Sequence, residues 1–476
     1  MKKTTIFLLL MSVGFSFMGC NNNEIEIQVL SFNDYHGAVQ LNESQAGLEL
    51  FASTIKEKTS KYKDRTIILS AGDMCQGSAE SNLGHGKIII DTMNEIGLDA
   101  MTIGNHEFDW GIEEIKNHHD GKKDNNEANY AYLGCNIYEK DSNTRVDWAD
   151  DYKIVTRKDI NIGIIGWIGS DCVDSIATSI IEPYSFTNPN ERIVELAKHL
   201  RENENCDIII AMGHEQNDLL NQSLGLNDVA QIDLIINGHT HQSYVEEYDS
   251  YNVIQSGTVG EYLGVTKIKV DKSTKSVKSI KTENENINRD LKVYEEIANI
   301  VNENLEEISP IINRVIGKSG ENIDRSKASK WAAKVVESAT GADLGIINWG
   351  GIRANAFPIR RNDDIKVSKI WEIMPFDNVI KTVKLTGKQI KNLEFNNDSF
   401  VFSKDDYKEI FNDDEYYKVA ACDYIFDKPQ YEFLKGKEIT ITPLLVRDAL
   451  IADIEEWTRL EEVFIPSNGT KIGNLL

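Results

Sequence analysis

Cysteine, proline and positive charge are scarce in this sequence. Six cysteines and eight prolines occur among 476 residues, and 51 lysines and arginines stand against 76 acidic residues. No two cysteines form a CxxC pair, which excludes the usual cysteine-based structural zinc sites. The formal net charge of -25 repels the phosphate backbone of nucleic acids, so no nucleic-acid partner is expected. A small phosphorylated ligand would need local positive charge, which bound metal ions can supply.

The N-terminal residues are expected to form an export signal rather than part of the fold. Basic residues precede an apolar run from Ile6 to Phe17, which is too short for a comfortable transmembrane helix. The run ends at Gly19-Cys20, which resembles the bacterial lipobox, in which the cysteine is acylated and becomes the first mature residue. We predict a signal peptide over 1–19, a lipid anchor on Cys20, and export across the inner membrane to the periplasm or the cell surface. A plain signal peptide with an incidental cysteine is the alternative.

The cysteines after Cys20 are odd in number, so they cannot all pair with one another. We predict that most of them are buried thiols, and one disulfide is the alternative. They are Cys75, Cys135, Cys172, Cys206 and Cys422.

The length of the chain and its hydrophobic pattern predict more than one α/β domain. Short β-branched runs alternate with candidate helices such as Lys87–Ile96, which is the pattern of an α/β layer fold. The chain turns polar over 272–290, where we place a domain boundary. We predict a first domain over 20–285, a linker over 286–310 with a helix from Leu291 to Glu307 that ends before Pro310, and a second domain over 311–476. The second domain is expected to close with a helix from Pro443 to Trp457.

Five clusters of coordinating residues each follow directly after an apolar strand. In an open α/β sheet, ligands bind at the carboxyl ends of the strands, so these clusters are expected to meet there. Imidazole, carboxylate and amide donors suit Zn, Mn, Fe or Co, and their number fits two divalent ions rather than one. Two such ions can activate water and clamp both oxygens of a phosphoryl transfer. The clusters are Asp34-Tyr-His36, Gly72-Asp73, Gly104-Asn105-His106-Glu107, Gly213-His214-Glu215 and Gly238-His239-Thr240-His241.

The order of these motifs resembles that of the calcineurin-like metallophosphoesterases. Residues 105–111 are similar to the version in the 5′-nucleotidase family, which includes UDP-sugar hydrolases and 2′,3′-cyclic phosphodiesterases. The resemblance implies a two-sheet sandwich flanked by helices, followed by an α+β substrate-binding domain. It also implies that a metal-bound hydroxide attacks the phosphate ester. The implied ligands are Asp34, His36 and His241 for the first ion, Asp73 as the bridge, and Asn105, His214 and His239 for the second.

His106 and Asp109 are implied to be catalytic without binding metal. His106 would stabilise charge on the phosphoryl oxygens or protonate the leaving group, and Asp109 would orient it. The alternative for Asp109 is a helix N-cap, because Trp110 is expected to begin a helix.

The second domain resembles its counterpart in the 5′-nucleotidases but departs from it. In the segment 348–353, Asn348 and Arg353 would bind the base and the substrate anion, although Trp349 replaces a glycine of the family pattern. In the segment 374–378, Phe376 would stack on the base beside Asn378. Tyr424 is the candidate for the second stacking ring, but the glycine-rich loop that should follow it is missing.

We therefore expect an extracytoplasmic dimetal phosphoesterase that hydrolyses nucleotide phosphate esters. The missing loop keeps a second hypothesis open, in which the same chemistry acts on a non-nucleotide phosphomonoester. A non-catalytic surface lipoprotein on a decayed scaffold is the third. It is disfavoured because every expected metal ligand is present.

Overall fold

The computed structural model of the chain describes residues 23–43, 45–122, 125–393 and 400–476. The predicted signal peptide over 1–19 and the lipid anchor on Cys20 lie outside the described residues. Within the described part of the chain, no helix has both the length and the apolar character needed to cross a membrane. The five cysteines of the described residues are all buried and unpaired, as predicted for thiols.

The first domain is a sandwich of two six-stranded sheets. The strands, in chain order, are β1 Glu24–Phe32, β2 Thr66–Ser70, β3 Ala100–Thr102, β4 Ala131–Leu133, β5 Ile137–Glu139, β6 Tyr152–Arg157, β7 Ile160–Ile168, β8 Tyr184–Phe186, β9 Ile208–His214, β10 Leu234–Asn237, β11 Ser243–Glu247, β12 Asn252–Ser256, β13 Tyr262–Asp271 and β14 Val277–Asn286. The first sheet has the order β14-β13-β1-β2-β3-β4 and the second β11-β12-β10-β9-β7-β6. The α/β sandwich predicted for this domain is confirmed.

Alternating side chains explain why the two sheets face each other. Ile27 and Val29 of β1 and Ile208 and Ile210 of β9 lie in one fully buried core between the sheets. Because successive side chains of a strand point to opposite faces, the remaining apolar residues pack outward against helices. The helices of this domain are α1 Leu48–Tyr62, α2 Ala79–Asn82, α3 Lys87–Ile96, α4 Ile112–Asn117, α5 Ser170–Val173, α6 Thr178–Ile181, α7 Asn190–Glu202 and α8 Asp218–Gly225.

The second domain is built around a five-stranded sheet. A connecting helix, α9 Glu295–Ile312, leads into it. Its strands are β15 Val315–Lys318, β16 Leu344–Asn348, β17 Asp364–Lys366, β18 Val379–Thr386, β19 Phe400–Phe402, β20 Tyr416–Cys422 and β21 Lys437–Leu445. Its helices are α10 Arg325–Thr340, α11 Val367–Ile373, α12 Gly387–Asn392, α13 Tyr407–Ile410, α14 Asp423–Phe426 and α15 Val446–Arg459. The sheet has the order β19-β16-β20-β18-β21.

Three predicted elements differ from the structure. Helix α9 does not end before Pro310 but continues to Ile312, which lies in the core of the second domain. The burial of Ile312 offsets the single hydrogen bond that the proline removes. The last helix begins at Val446 rather than Pro443, because Pro443 belongs to the edge strand β21. Most of the polar stretch 272–290 forms the edge strand β14 of the first sheet, whose residues are nearly all partly or fully exposed.

Candidate active site

All seven predicted metal ligands meet at one edge of the sandwich. They follow β1, β2, β3 and β10 or end β9. Strands β1, β2 and β3 run parallel to one another in the first sheet, and β9 and β10 run parallel in the second. The carboxyl ends of parallel strands share one edge, which explains how residues far apart in sequence come together. Asp34 is fully buried and His241 is the most exposed of the set at 36% of its side chain.

One group of donor atoms consists of Asp34, His36 and His241. The Nε2 atoms of the two histidines face each other at 3.1 Å, and Asp34 Oδ1 lies 3.4 Å from Nε2 of His241. The Nδ1 atom of His36 lies 3.2 Å from the carbonyl oxygen of Gln76, which leaves Nε2 directed at the group. Burial lowers the pKa of His36 to about 3, so its imidazole is neutral and has a lone pair to offer.

A second group of donor atoms lies beside the first. The Nε2 atom of His214 is 3.1 Å from Asp73 Oδ2 and 3.2 Å from Asn105 Oδ1. His239 Nδ1 approaches the same amide oxygen at 3.1 Å. The other ring nitrogen of His214 binds the carbonyl of Ala71 at 2.7 Å, which fixes the ring in the manner usual for metal-binding histidines.

Asp73 lies between the two groups. A carboxylate oxygen of Asp73 lies within 4.8 Å of donor atoms of Asp34 and His214. One also lies within 4.8 Å of donor atoms of His36 and His106. This is the placement that a carboxylate shared by two ions requires.

The electrostatics of the site favour bound cations. Two fully buried carboxylates, Asp34 and Asp73, have no lysine or arginine within ion-pair distance among the described residues. Burial alone would lower the pKa of His214, but the carboxylate of Asp73 outweighs it and raises that pKa to about 10. The site therefore attracts positive charge at the point where the lone pairs converge, and the donor set fits two divalent ions such as Zn, Mn, Fe or Co.

The loops that carry the ligands have an unusual backbone. Five of the seven predicted ligands have a positive φ, a conformation that residues other than glycine rarely adopt. Such strain is found mainly where the surrounding structure holds it for a functional reason. The five are Asp34 (48°), His36 (50°), Asp73 (52°), His239 (75°) and His241 (59°).

Two residues that support the ligands were missed at the level of sequence. The Glu107 carboxylate accepts hydrogen bonds from the backbone N–H groups of Gly104 (2.7 Å), Met74 (2.8 Å) and Asp73 (2.9 Å), so it ties two ligand loops together. Asn33 donates to Asp34 Oδ2 at 2.7 Å and fixes that carboxylate. The signal for Glu107 was its place in the Asn105-His106-Glu107 motif; Asn33 precedes the Asp34 motif without any distinctive spacing.

His106 and Asp109 form a hydrogen-bonded pair beside the ligands. His106 Nδ1 and Asp109 Oδ2 are 2.8 Å apart. Burial would lower the pKa of His106, but the carboxylates of Asp109 and Asp73 outweigh it and raise that pKa to about 9. Asp109 is not a helix N-cap, since α4 begins at Ile112 with Gly111 at the N-cap position. Because Nδ1 is bound to Asp109, the protonated ring has a second N–H, on Nε2, that can be donated to another group.

The second domain brings one of its five predicted residues, Phe376, against His106 and places a second, Arg353, beside Phe376. The ring of Phe376 stacks on His106 with centroids 5.7 Å apart and an interplanar angle of 17°. The guanidinium of Arg353 lies 5.7 Å from the centroid of Phe376. A phosphate at the metal ligands would therefore meet an arginine and an aromatic ring from the second domain.

The other three predicted substrate residues lie around Asp423 and Cys422. Asn378 Nδ2 and the backbone N–H of Tyr424 donate to the same oxygen of Asp423, at 3.0 and 2.8 Å. Asn348 Oδ1 accepts from the thiol of Cys422 at 3.6 Å. The ring of Tyr424 is covered by the ammonium group of Lys428, 4.3 Å from its centroid.

Comparison with known proteins identifies both domains. The family model of the calcineurin-like phosphoesterases matches residues 27–243, and that of the 5′-nucleotidase C-terminal domain matches residues 309–408. The chain therefore joins a calcineurin-like phosphoesterase domain to a 5′-nucleotidase C-terminal domain. Calcineurin-like phosphoesterases use divalent metals.

Individual relatives of the chain are distant. Endonuclease YhcR of Bacillus subtilis is 24% identical over 447 residues, which is 85% of this chain but only 34% of YhcR. A 5′-nucleotidase of Vibrio cholerae is 23% identical over 430 residues, covering 77% of this chain and 74% of its own. The crystal structure of a 5′-nucleotidase precursor from Thermus thermophilus superposes with a TM-score of 0.71 at 15% identity, over 95% of this chain and 99% of that one. The chain thus spans about a third of the length of YhcR.

Proposed function

We propose that this protein is an extracytoplasmic phosphoesterase that hydrolyses phosphate esters of nucleotides with the help of two divalent cations. The observation that carries the proposal is the convergence of seven ligand side chains with the His106–Asp109 pair and with Arg353 and Phe376 of the second domain. The relative from Vibrio cholerae, named a 5′-nucleotidase, supports nucleotides as the substrate class. The N-terminal sequence supports export and a lipid anchor on Cys20.

The cations would be held by Asp34, His36 and His241 on one side and by Asn105, His214 and His239 on the other, with Asp73 shared. When bound, such ions polarise phosphoryl oxygens and lower the pKa of water. In the reaction, water adds to phosphorus, the P–O bond to the leaving group breaks, and the leaving oxygen takes up a proton.

The protein's own residues would orient the substrate and move that proton. His106 is cationic because Asp109 holds its Nδ1–H, so its Nε2–H can be donated to a charged phosphoryl oxygen or to the leaving oxygen. Arg353 would pair with the phosphate. Phe376 would present a ring face to the base, and stacking of this kind contributes about 1–3 kcal/mol per base.

A non-nucleotide phosphomonoester is the second candidate substrate. It is favoured by the surroundings of the two predicted stacking rings. Lys428 lies over the ring of Tyr424, and its ammonium group is 3.3 Å from the tyrosine hydroxyl. The ring of Phe376 already stacks on His106. Each of the two rings predicted to stack on a base therefore already has a partner within the protein.

An activity panel separates the candidates. The purified protein, loaded with Mn²⁺ or Zn²⁺, would be assayed for phosphate release from 5′-nucleotides, cyclic nucleotides, UDP-sugars, sugar phosphates and glycerol phosphate. We expect nucleotides or UDP-sugars to give the highest kcat/KM. Turnover confined to sugar phosphates or glycerol phosphate would favour the second candidate. No turnover together with no bound transition metal would favour a non-catalytic surface lipoprotein instead.

A further inference from the structure

Residues 75–83, which we call the bridging segment, reach from a predicted metal ligand to the core of the second domain. At its start, the carbonyl of Gln76 binds Nδ1 of His36 at 3.2 Å. A Cβ atom at Gly77 would lie only 2.2 Å from the carbonyl oxygen of His36, so the two backbones touch there. At its end, helix α2 buries Ala79 within the hydrophobic core of the second domain. The bridging segment therefore contacts both halves of the proposed active site.

Two side-chain amides of the bridging segment bind one carbonyl oxygen of the second domain. Gln76 Nε2 donates to the carbonyl of Pro375 at 3.1 Å, and Asn82 Nδ2 donates to the same oxygen at 2.8 Å. Both amides are buried, with 2% and 5% of the residue exposed. A buried amide without an acceptor is unfavourable, so this carbonyl is strongly held in place.

The second domain holds the same carbonyl from its own side. Arg447, which is 3% exposed, donates through Nη1 to the carbonyls of Pro375 at 3.3 Å and of Phe376 at 3.1 Å. Its other terminal nitrogen pairs with Asp377. The backbone on both sides of Phe376 is thereby fixed, and with it the ring that stacks on His106.

We propose that Gln76 and Asn82 are positioning residues for the nucleoside part of the substrate. By fixing the Pro375 carbonyl, they hold the ring of Phe376 in its stacked position on His106. They also fix that ring relative to Asp73, the predicted ligand that precedes the bridging segment. They act through Phe376 and touch neither the phosphate nor the cations. The inference rests on the proposed function, in which Phe376 contacts the base.

The test compares two variants that lose the hydrogen bond to Pro375. Because Asn82→Asp also adds a carboxylate, only a result shared with Gln76→Met supports the proposal. Gln76→Met keeps the volume of the side chain, and Asn82→Asp keeps the oxygen that accepts from the N–H of Gly77. Gln40→Met is the matched control, because Gln40 donates to Glu80 of helix α2 but not to Pro375. Each holoenzyme would be assayed with 5′-AMP and with glycerol phosphate, which has no base, and its metal content would be measured.

We expect each test variant to raise KM for 5′-AMP about 5- to 20-fold, the effect of one lost buried hydrogen bond, with kcat changed less than threefold. The kcat/KM for glycerol phosphate and the metal content should stay within twofold of wild type, as should all values for Gln40→Met. An unchanged KM for 5′-AMP would overturn the proposal. An equal loss on both substrates would also overturn it, because the amides would then be supporting the metal centre.

A measurement without substrate separates this proposal from the proposed function. Amide hydrogen exchange of the peptide that spans 374–378 should become several-fold faster in both test variants and remain unchanged in Gln40→Met. If wild type hydrolyses glycerol phosphate but no nucleotide, the nucleotide assignment fails while faster exchange still supports the positioning role. If the exchange of 374–378 is unaffected, the positioning role is wrong whatever the substrate.

Discussion

At the scale of single residues, the ligand loops tolerate very little added volume. Gly104 separates β3 from Asn105, and a Cβ atom at this position would lie 2.2 Å from Asp73 Oδ1 and 2.9 Å from Cε1 of His214. Real Cβ contacts are not this short, so any side chain here must displace a ligand of the second donor group. The packing of the predicted metal site thus requires a glycine here, although glycine offers no donor atom.

Replacement of Gly104 by alanine should therefore impair cation binding. We expect Gly104→Ala to weaken the affinity for Mn²⁺ or Zn²⁺ at least tenfold and to lower the free energy of unfolding by about 1–3 kcal/mol, the usual cost of overpacking. Competition titration with a chelating dye and urea denaturation measure the two effects. Gly84→Ala is the control, since the nearest atom to its added Cβ is 3.6 Å away. Equal behaviour of the two variants would show that the ligand loops can relax.

His106 should matter for turnover and not for metal binding. Its Nδ1 is bound to Asp109, and a general acid contributes about 10²–10⁴-fold to a rate. We expect His106→Ala to lose that factor in kcat while two cations per chain remain bound. Metal analysis and steady-state kinetics check both halves of this prediction. His199→Ala, which changes an exposed histidine beside Glu204, serves as the control. Loss of cations from His106→Ala would mean that His106 is itself a ligand.

At the scale of elements, the two sheets are tied together away from the active edge. Arg157 at the end of β6 donates to Asp99 Oδ1 at 2.6 Å, just before β3, and to the carbonyl of Thr66 at 2.7 Å, at the start of β2. The side chains of Arg157 and Asp99 are mostly covered, with 24% and 15% exposed. Burial raises the pKa of Asp99, and the charge of Arg157 opposes that rise.

Removal of the positive charge of Arg157 should destabilise the sandwich to an extent that depends on pH. In Arg157→Met the pKa of Asp99 rises further, so its charged form becomes more costly to bury. The variant's loss of unfolding free energy relative to wild type is complete above the folded-state pKa of Asp99. The loss becomes smaller as pH falls and Asp99 takes up a proton. We expect a loss of about 1–3 kcal/mol at pH 7.5, discounted for partial exposure, and a smaller loss at pH 4.5. Urea denaturation at these two pH values measures the loss of unfolding free energy. A loss that is larger at the lower pH would contradict the prediction.

Elements were predictable where the local pattern and the tertiary environment agree. Helix α3 has the predicted bounds because Ile89, Met93 and Ile96 form a continuous buried face. Strand β14 could not be predicted, because its polar residues are typical of a linker and only its pairing with β13 makes it a strand. The predicted end of α9, before Pro310, was wrong for a similar reason. The core that buries Ile312 is formed by residues from other parts of the chain.

At the scale of the whole molecule, the convergence of the predicted metal ligands could be predicted from sequence, because each follows or ends an apolar strand and most stand next to a glycine. Their supports were not, because Glu107, Asn33 and the Gln76–Pro375 contact depend on which loops meet in space. The same holds for Tyr424, whose ring proved to be covered by Lys428.

Removal of the cations should lower the stability of the first domain. Two buried carboxylates lose their counter-charge, and ligand binding at a hundredfold excess over Kd contributes about 2.7 kcal/mol. We expect treatment with a chelator to lower Tm by about 5–10 °C and addition of Mn²⁺ or Zn²⁺ to restore it, as followed by circular dichroism. Asp73→Asn should show a lower starting Tm and little response to the chelator. If the chelator leaves the Tm of the wild type unchanged, the assignment of these residues as metal ligands is wrong.

Under the proposed export, the pairing of β1 with β13 also sets the order of events as the chain emerges from the translocation machinery. Strand β1 leaves first, yet its antiparallel partner begins only at Tyr262, and His241 follows Asp34 by most of the length of the domain. Until that stretch has been delivered, Asp34 and His36 have neither a finished sheet nor their third donor. Contacts this distant in sequence form slowly. The cations must therefore be acquired after delivery, from the pool on the far side of the membrane, whose metal content would then decide which ions the protein carries.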